Sequence, residues 1–163
     1  MRLFLIGYMA SGKSTVGKLL AEQLHLPFID LDDVIASNTG MSIPIIFSTH
    51  GEDFFRAQES AALREFITLH ENVVIATGGG TPCFENNLNE MLSNGTVIYL
   101  QCDAQTISRR INSDSNQRPL ASTSDFDVNA HLQSRLRFYE QAHVVVDASQ
   151  EMHRVVEAIV VRV

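Results

Sequence analysis

Nine residues near the N-terminus constrain this chain more than any other stretch: Gly7-Tyr8-Met9-Ala10-Ser11-Gly12-Lys13-Ser14-Thr15. They fit G-x-x-x-x-G-K-[S/T], a loop that cradles phosphates. Leu3-Phe4-Leu5-Ile6 precedes them as an apolar run of strand length, and Val16, Leu19, Leu20 and Leu24 follow at helical spacing. Glycines let the backbone curl until successive N–H groups face an anion, and the following helix adds the positive end of its dipole. The pattern predicts a bound nucleoside triphosphate held by Ala10, Ser11, Gly12, Lys13, Ser14 and Thr15. Lys13 is expected at the β- and γ-phosphates, and the Ser14 hydroxyl at Mg²⁺.

Downstream, apolar strands alternate with helices. Phe28-Ile29-Asp30 reads as a short strand closed by the carboxylates of Asp30, Asp32 and Asp33. Val34 to Asn38 reads as helical, Ser42 as the cap of the next helix, and Gly51 as the break before a longer one. Val73 to Ala76 is a third strand, followed at once by Thr77-Gly78-Gly79-Gly80. A helix is expected from about Phe84 to Leu92. Val97 to Leu100 follows as a fourth strand, and Asp103 as the cap of a helix to about Arg110. Residues 112–124 are polar and aperiodic, enclosing Arg118-Pro119-Leu120, and a loop of that kind reads as a mobile lid. A helix from Asp125 to about Gln141, the strand Val144 to Val146 and an amphipathic helix near Met152 to Val160 complete the chain.

Strands that are apolar throughout and alternate with helices imply a three-layer α/β/α fold around a five-stranded parallel sheet. The 163 residues are expected to form one domain. A net charge of −7 without any basic run disfavours nucleic acid and anionic membranes as partners. Only Cys83 and Cys102 occur, far apart, so no disulfide framework is expected. The absence of a leader-like or membrane-length apolar run leads us to expect a cytoplasmic protein. His50-Gly51-Glu52 with Pro82-Cys83 resembles half of a zinc-deaminase pattern, but Asn86 stands where its second cysteine belongs.

Ligands of open parallel sheets bind beyond the carboxyl ends of the strands. Here the first three strands end in the phosphate loop, in Asp30-Leu31-Asp32 and in three glycines. Residues two apart in an extended segment point the same way, so Asp30 and Asp32 are expected to face one cavity. One would hold Mg²⁺ and the other would meet an acceptor hydroxyl. Lysine occurs only at positions 13 and 18; the other ten cationic residues are arginines, which suit bidentate recognition of carboxylate or phosphate. Spacing alone does not select Arg56, Arg110, Arg118 and Arg135 from those ten.

Together these motifs resemble shikimate kinase. The likeness runs from the phosphate loop through Phe28-Ile-Asp-Leu-Asp, Gly40-Met-Ser-Ile, Ile46-Phe47, Gly51-Glu52, Phe55-Arg56, Glu59 and Thr77-Gly-Gly-Gly to Arg118-Pro-Leu, Arg135 and Tyr139. The resemblance implies a fold like that of P-loop nucleoside monophosphate kinases and transfer of a phosphoryl group from ATP to the 3-hydroxyl of shikimate, by a monomer. It assigns Asp32 to the reacting hydroxyl, Arg56 and Arg135 to the shikimate carboxylate, and Glu59 to the support of Arg56. Gly78, Gly79 and Gly80 would line the ring with Phe47 and Phe55 as apolar wall. Arg118 would reach the phosphates from the lid, Arg110 would stack on adenine, and Asp30 with Ser14 would organise Mg²⁺. Whether Asp32 accepts the proton or only orients the hydroxyl stays open at this stage, as do kinases of gluconate or of nucleoside monophosphates. Ala10 stands where that family usually has glycine, and Ala121 follows Arg-Pro-Leu where leucine is typical.

Overall fold

A computed structural model describes residues 1–113 and 127–163. Arg118 and Ala121, with nearly all of the expected lid, lie outside the described residues. Five strands form one sheet: β1 (Arg2–Ile6), β2 (Phe28–Asp30), β3 (Val73–Ala76), β4 (Thr96–Gln101) and β5 (Val144–Asp147). All pairs are parallel, in the order β2-β3-β1-β4-β5. Between them run α1 (Lys13–Leu24), α2 (Leu31–Thr39), α3 (Ile43–Leu69), α4 (Asn87–Asn94), α5 (Ala104–Ser113) and α6 (Val128–Tyr139), and α7 (Met152–Val160) follows β5.

The period-2 alternation of the central strand splits the core into two layers. Phe4 and Ile6 of β1 pack with Leu31, Ile35, Phe55, Leu63, Leu132 and Tyr139, under α2, α3 and α6. Leu3 and Leu5 point the other way, against Val16, Leu20, Val155, Val156 and Ile159 of α1 and α7. The side chains of Leu3, Phe4, Leu5 and Ile6 are fully buried, which is why β1 is apolar on both faces beyond Arg2. Gly17 lets α1 lie close: a Cβ there would collide with the Phe28 ring and come within 3.1 Å of Leu5 Cδ1. Among the described residues, no helix is long and apolar enough to cross a membrane.

Register sets the functional edge. Asp30 of β2 and Leu5 of β1 both pair with Ala76 of β3, so the phosphate loop, Asp30 and Thr77-Gly78 leave the sheet side by side. Several boundaries differ from the sequence expectation. The chain turns helical directly after Asp30, so Asp32 lies in the first turn of α2 rather than in an extended tail. Pro82 sits in a 3-10 turn at Thr81–Cys83, and α4 starts only at Asn87. Asn112 and Ser113, expected in the lid, extend α5. Ser42 precedes α3, but its hydroxyl makes no capping bond; Pro44 in the first turn removes one of the N–H groups it could have served. Gly51 breaks α3 as expected, with φ 81° and ψ 177° inside otherwise continuous helix.

Candidate active site

The phosphate loop curls through three positive-φ residues, Gly7 (144°), Ala10 (59°) and Gly12 (98°). At Gly7 a side chain is excluded as well as disfavoured, because a Cβ would lie 2.8 Å from the Leu100 carbonyl oxygen. Lys13, 9% exposed, folds back over the loop and donates to the carbonyls of Gly7 (2.8 Å) and Tyr8 (2.9 Å). Ser14 Oγ donates to Asp30 Oδ2 at 2.5 Å, and Asp30 Oδ1 accepts the Asp32 amide at 3.1 Å. Asp30 therefore caps α2 while facing the loop, and Ser14 and Thr15 remain exposed at the start of α1. Arg110, in the last turn of α5, reaches behind the loop: its guanidinium donates to the carbonyls of Ala10 and Ser11 (both 3.2 Å) and of Ala148 (2.8 Å).

The glycine wall stands opposite. A Cβ on Gly78 would collide with Glu59 Oε1 and lie 3.3 Å from Asp32 Oδ1; one on Gly79 would meet Met9 N (3.2 Å) and Arg135 Nη1 (3.5 Å). One on Gly80 would press into Arg56, 2.5 Å from Nη1 and 2.6 Å from Nη2. These three backbone positions thus touch Asp32, Arg56, Arg135 and the phosphate loop at once. The two aspartates part ways: Asp30 serves the loop and Asp32 the wall. The helix that begins at Leu31 separates them, where an extended segment would have aimed both at one point.

Two ion pairs converge on Arg56, both from its own helix. Nη1 meets Glu59 Oε2 at 2.6 Å, and Nε and Nη2 share Glu52 Oε1 at 3.1 and 2.9 Å. Glu59 is fully buried and also accepts from Thr81 Oγ1 at 2.5 Å. Phe84 lies over the guanidinium, 4.0 Å from Cζ to the ring centroid, with Phe55 at 5.2 Å and the Phe47 ring tilted 39° against Phe55 at 4.7 Å. Among the described residues, three of the five guanidinium N–H groups are used and two are left for a ligand. Removing one member of such a buried pair leaves an uncompensated charge, typically at a cost of about 3–5 kcal/mol. Arg135, 8% exposed, is set by α6 above the Tyr8 ring (5.7 Å), and Tyr139 beneath it donates its hydroxyl to the Gly79 carbonyl at 2.6 Å.

Burial pushes the Tyr139 hydroxyl far above its usual range and Tyr8 up to about 12, in each case against the pull of Arg135, so both hydroxyls stay protonated. Burial also raises the Cys83 thiol, opposed by Arg135 and Arg56, which keeps it a neutral wall residue. Glu52, Thr81, Phe84 and Tyr139 had no role assigned from sequence. The turn after the glycines could have drawn attention to Thr81 and Phe84. Nothing in the sequence links Tyr139 to Gly79, 60 residues away.

A family model described as shikimate kinase matches residues 9–163. A shikimate kinase of Azobacteroides pseudotrichonymphae is 43% identical over 150 residues, 88% of this chain and 88% of the relative. The crystal structure of shikimate kinase from Aquifex aeolicus superposes with a TM-score of 0.88 at 38% identity, covering 99% of this chain and 95% of that one. Shikimate kinase from Acinetobacter baumannii, solved in complex with shikimate, superposes with a TM-score of 0.89 at 32% identity, covering 98% and 90%. With the phosphate loop facing two arginines across a glycine wall, these matches make the chain a member of the shikimate kinase family.

Proposed function

We propose that this protein transfers the γ-phosphoryl group of ATP to the 3-hydroxyl of shikimate, and does so as a cytoplasmic monomer. The observation that carries the reading is the pairing of Arg56 and Arg135 against Gly78–Gly80, directly across from the phosphate loop. Two guanidinium groups on a surface without side chains suit a small, flat carboxylate, which forks onto arginine with both affinity and orientation.

Phosphoryl transfer needs positioning and charge stabilisation more than covalent help. Lys13 is poised to exchange its carbonyl partners for the β- and γ-phosphates, with Arg110 bracing the loop from behind and forming the wall for the base. Asp32, beside Gly78, receives the hydrogen bond of the reacting hydroxyl and aims its oxygen at the γ-phosphorus. Glu59 and Glu52 fix the Arg56 fork, and Arg135 closes on the other side of the carboxylate. The family resemblance assigns Arg118, which lies outside the described residues, to the transferring phosphate.

Members of this family use a divalent cation with ATP, and the donors here fit Mg²⁺. Ser14 Oγ and Asp30 Oδ2 supply only oxygen and leave room for water and phosphate, as a small hard cation prefers. Bound there, Mg²⁺ would neutralise the charge on the β- and γ-phosphates. The test is ADP release with Mg·ATP against shikimate, gluconate and nucleoside monophosphates. ADP formation should require shikimate and stop on chelation of divalent metal. Equal ADP release without shikimate would reject the reading.

A further inference from the structure

A phosphate cradle has no need of an aromatic hydroxyl, yet Tyr8 places one at its lip. The side chain is 1% exposed, and its hydroxyl lies 2.6 Å from His131 Nδ1 on α6. The two rings meet edge-on, 5.5 Å apart at 78°. His131 and Arg135 are one helical turn apart, so they share a face of α6. Arg135 Cζ stands 5.7 Å from the centroid of the same Tyr8 ring. The backbone of Tyr8 works on the other substrate: its carbonyl accepts from Lys13 Nζ at 2.9 Å and from the Ser11 amide at 3.2 Å. Burial and the positive charges of Arg135 and Arg56, opposed by Glu52, hold His131 below its ordinary pKa. That favours the neutral imidazole, and in the tautomer protonated at Nε2 its Nδ1 accepts the phenol proton.

We propose that the Tyr8–His131 hydrogen bond is a positioning link that locks α6, and Arg135 with it, onto the phosphate loop, so that filling one substrate site raises affinity at the other. The link rests on the assignment of Arg135 to the acceptor carboxylate. A triphosphate that draws Lys13 off the Tyr8 carbonyl acts on the residue whose side chain holds α6. By linkage, the effect of the nucleotide on shikimate equals that of shikimate on the nucleotide.

The experiment is calorimetric titration of shikimate with and without a non-hydrolysable ATP analogue and Mg²⁺. The wild-type protein should bind shikimate at least about fivefold more tightly with the analogue, the lower end of common coupling. Tyr8→Phe keeps the ring and loses the hydroxyl. It should bring the ratio of the two dissociation constants to within about twofold of unity. His131→Leu should do the same, while His131→Asn, whose Oδ1 can take the place of Nδ1, should restore the ratio. A merely structural role would lower the melting temperature and leave the ratio intact. A wild-type ratio of unity, a wild-type ratio in Tyr8→Phe, or His131→Asn behaving as His131→Leu each overturns the link. Arg135→Ala separates the two ideas. Unaltered shikimate affinity in that variant overturns the assignment of Arg135, whereas weakened binding there beside an unaffected Tyr8→Phe overturns the link alone.

Discussion

Gly80 has an ordinary helical φ of −89°, so its lack of a side chain answers to space alone. Alanine there would push its Cβ into the Arg56 guanidinium, the end of a long side chain that can move without disturbing the backbone. The fold should therefore tolerate Gly80→Ala, with a stability change within about 2 kcal/mol, while the Arg56 fork is driven off its position. We expect the KM for shikimate to rise at least about tenfold, the cost of one displaced charge-assisted contact of about 1.5–3 kcal/mol, with the KM for ATP unchanged. Steady-state kinetics checks this, and parallel losses for both substrates would place the arginine elsewhere. Ala10 presents the opposite case. Its φ of 59° puts a Cβ in the left-handed region, which costs about 1–2 kcal/mol, while glycine loses about 0.4–1 kcal/mol more entropy on folding. Ala10→Gly should then stabilise the protein by about 1 kcal/mol or less, a melting-temperature rise of up to about 4 °C for a chain of this size. A lower melting temperature would mean that the loop bears no such strain.

Two elements show how local chemistry holds the site. The break in α3 lies at Gly51, where φ 81° with ψ 177° is open in practice only to glycine. A Cβ there meets nothing within 4 Å, so the cost of Gly51→Ala is backbone strain without a clash, about 1–3 kcal/mol by denaturant unfolding. Glu52 and Arg56 follow within five residues, so the same variant should lose shikimate affinity while ATP affinity holds. Helix α5 carries Arg110 in its last turn, where a cation suits the helix dipole, and is capped by Asp103, which accepts the Thr106 amide at 2.7 Å. That amide, chiefly, holds the Asp103 carboxyl below its ordinary 3.8. A carboxyl lowered on folding contributes stability above the unfolded pKa and loses it as pH falls through the folded one. The contribution of Asp103 is therefore complete above about pH 3.8 and fades below it. Asp103→Asn keeps an acceptor for the cap but cannot titrate, so it should soften the acid limb of the stability profile. An unchanged acid limb would place the titration elsewhere.

At the scale of the whole molecule, the sheet was legible because fully buried strands read as unbroken apolar runs between helical patterns, and their ends carry the unusual chemistry. Lys13, Ser14, Asp30 and the glycines followed from local spacing, and the structure sets all of them on one sheet edge. Arg56, Arg110, Arg118 and Arg135 came only through family resemblance; Arg56 shows why, since an arginine on a helix gives no sign of which buried carboxylate it will meet. Contacts such as Tyr8 with His131, 123 residues apart, had no local signal at all. The start of α2 at Leu31 was missed because Asp30 fits both a strand end and an N-cap, and the capping bond to Asp32 decides for the cap. Because the two substrate faces hang on a single sheet, occupancy of either should register as global stability. A ligand at about 100 times its Kd adds about 2.7 kcal/mol, which for this size is a rise of about 5–10 °C. Shikimate should give that shift in the wild-type protein. In Arg135→Ala, a 100-fold weaker site at the same shikimate concentration retains only about 0.4 kcal/mol and a shift of about 1 °C. The shift from an ATP analogue alone should persist, since the phosphate loop contributes its amides and Lys13 without Arg135. Thermal melts of both proteins with each ligand separate these outcomes. If the two ligands lost their shifts together, Arg135 would be supporting the fold of the edge rather than gripping the acceptor.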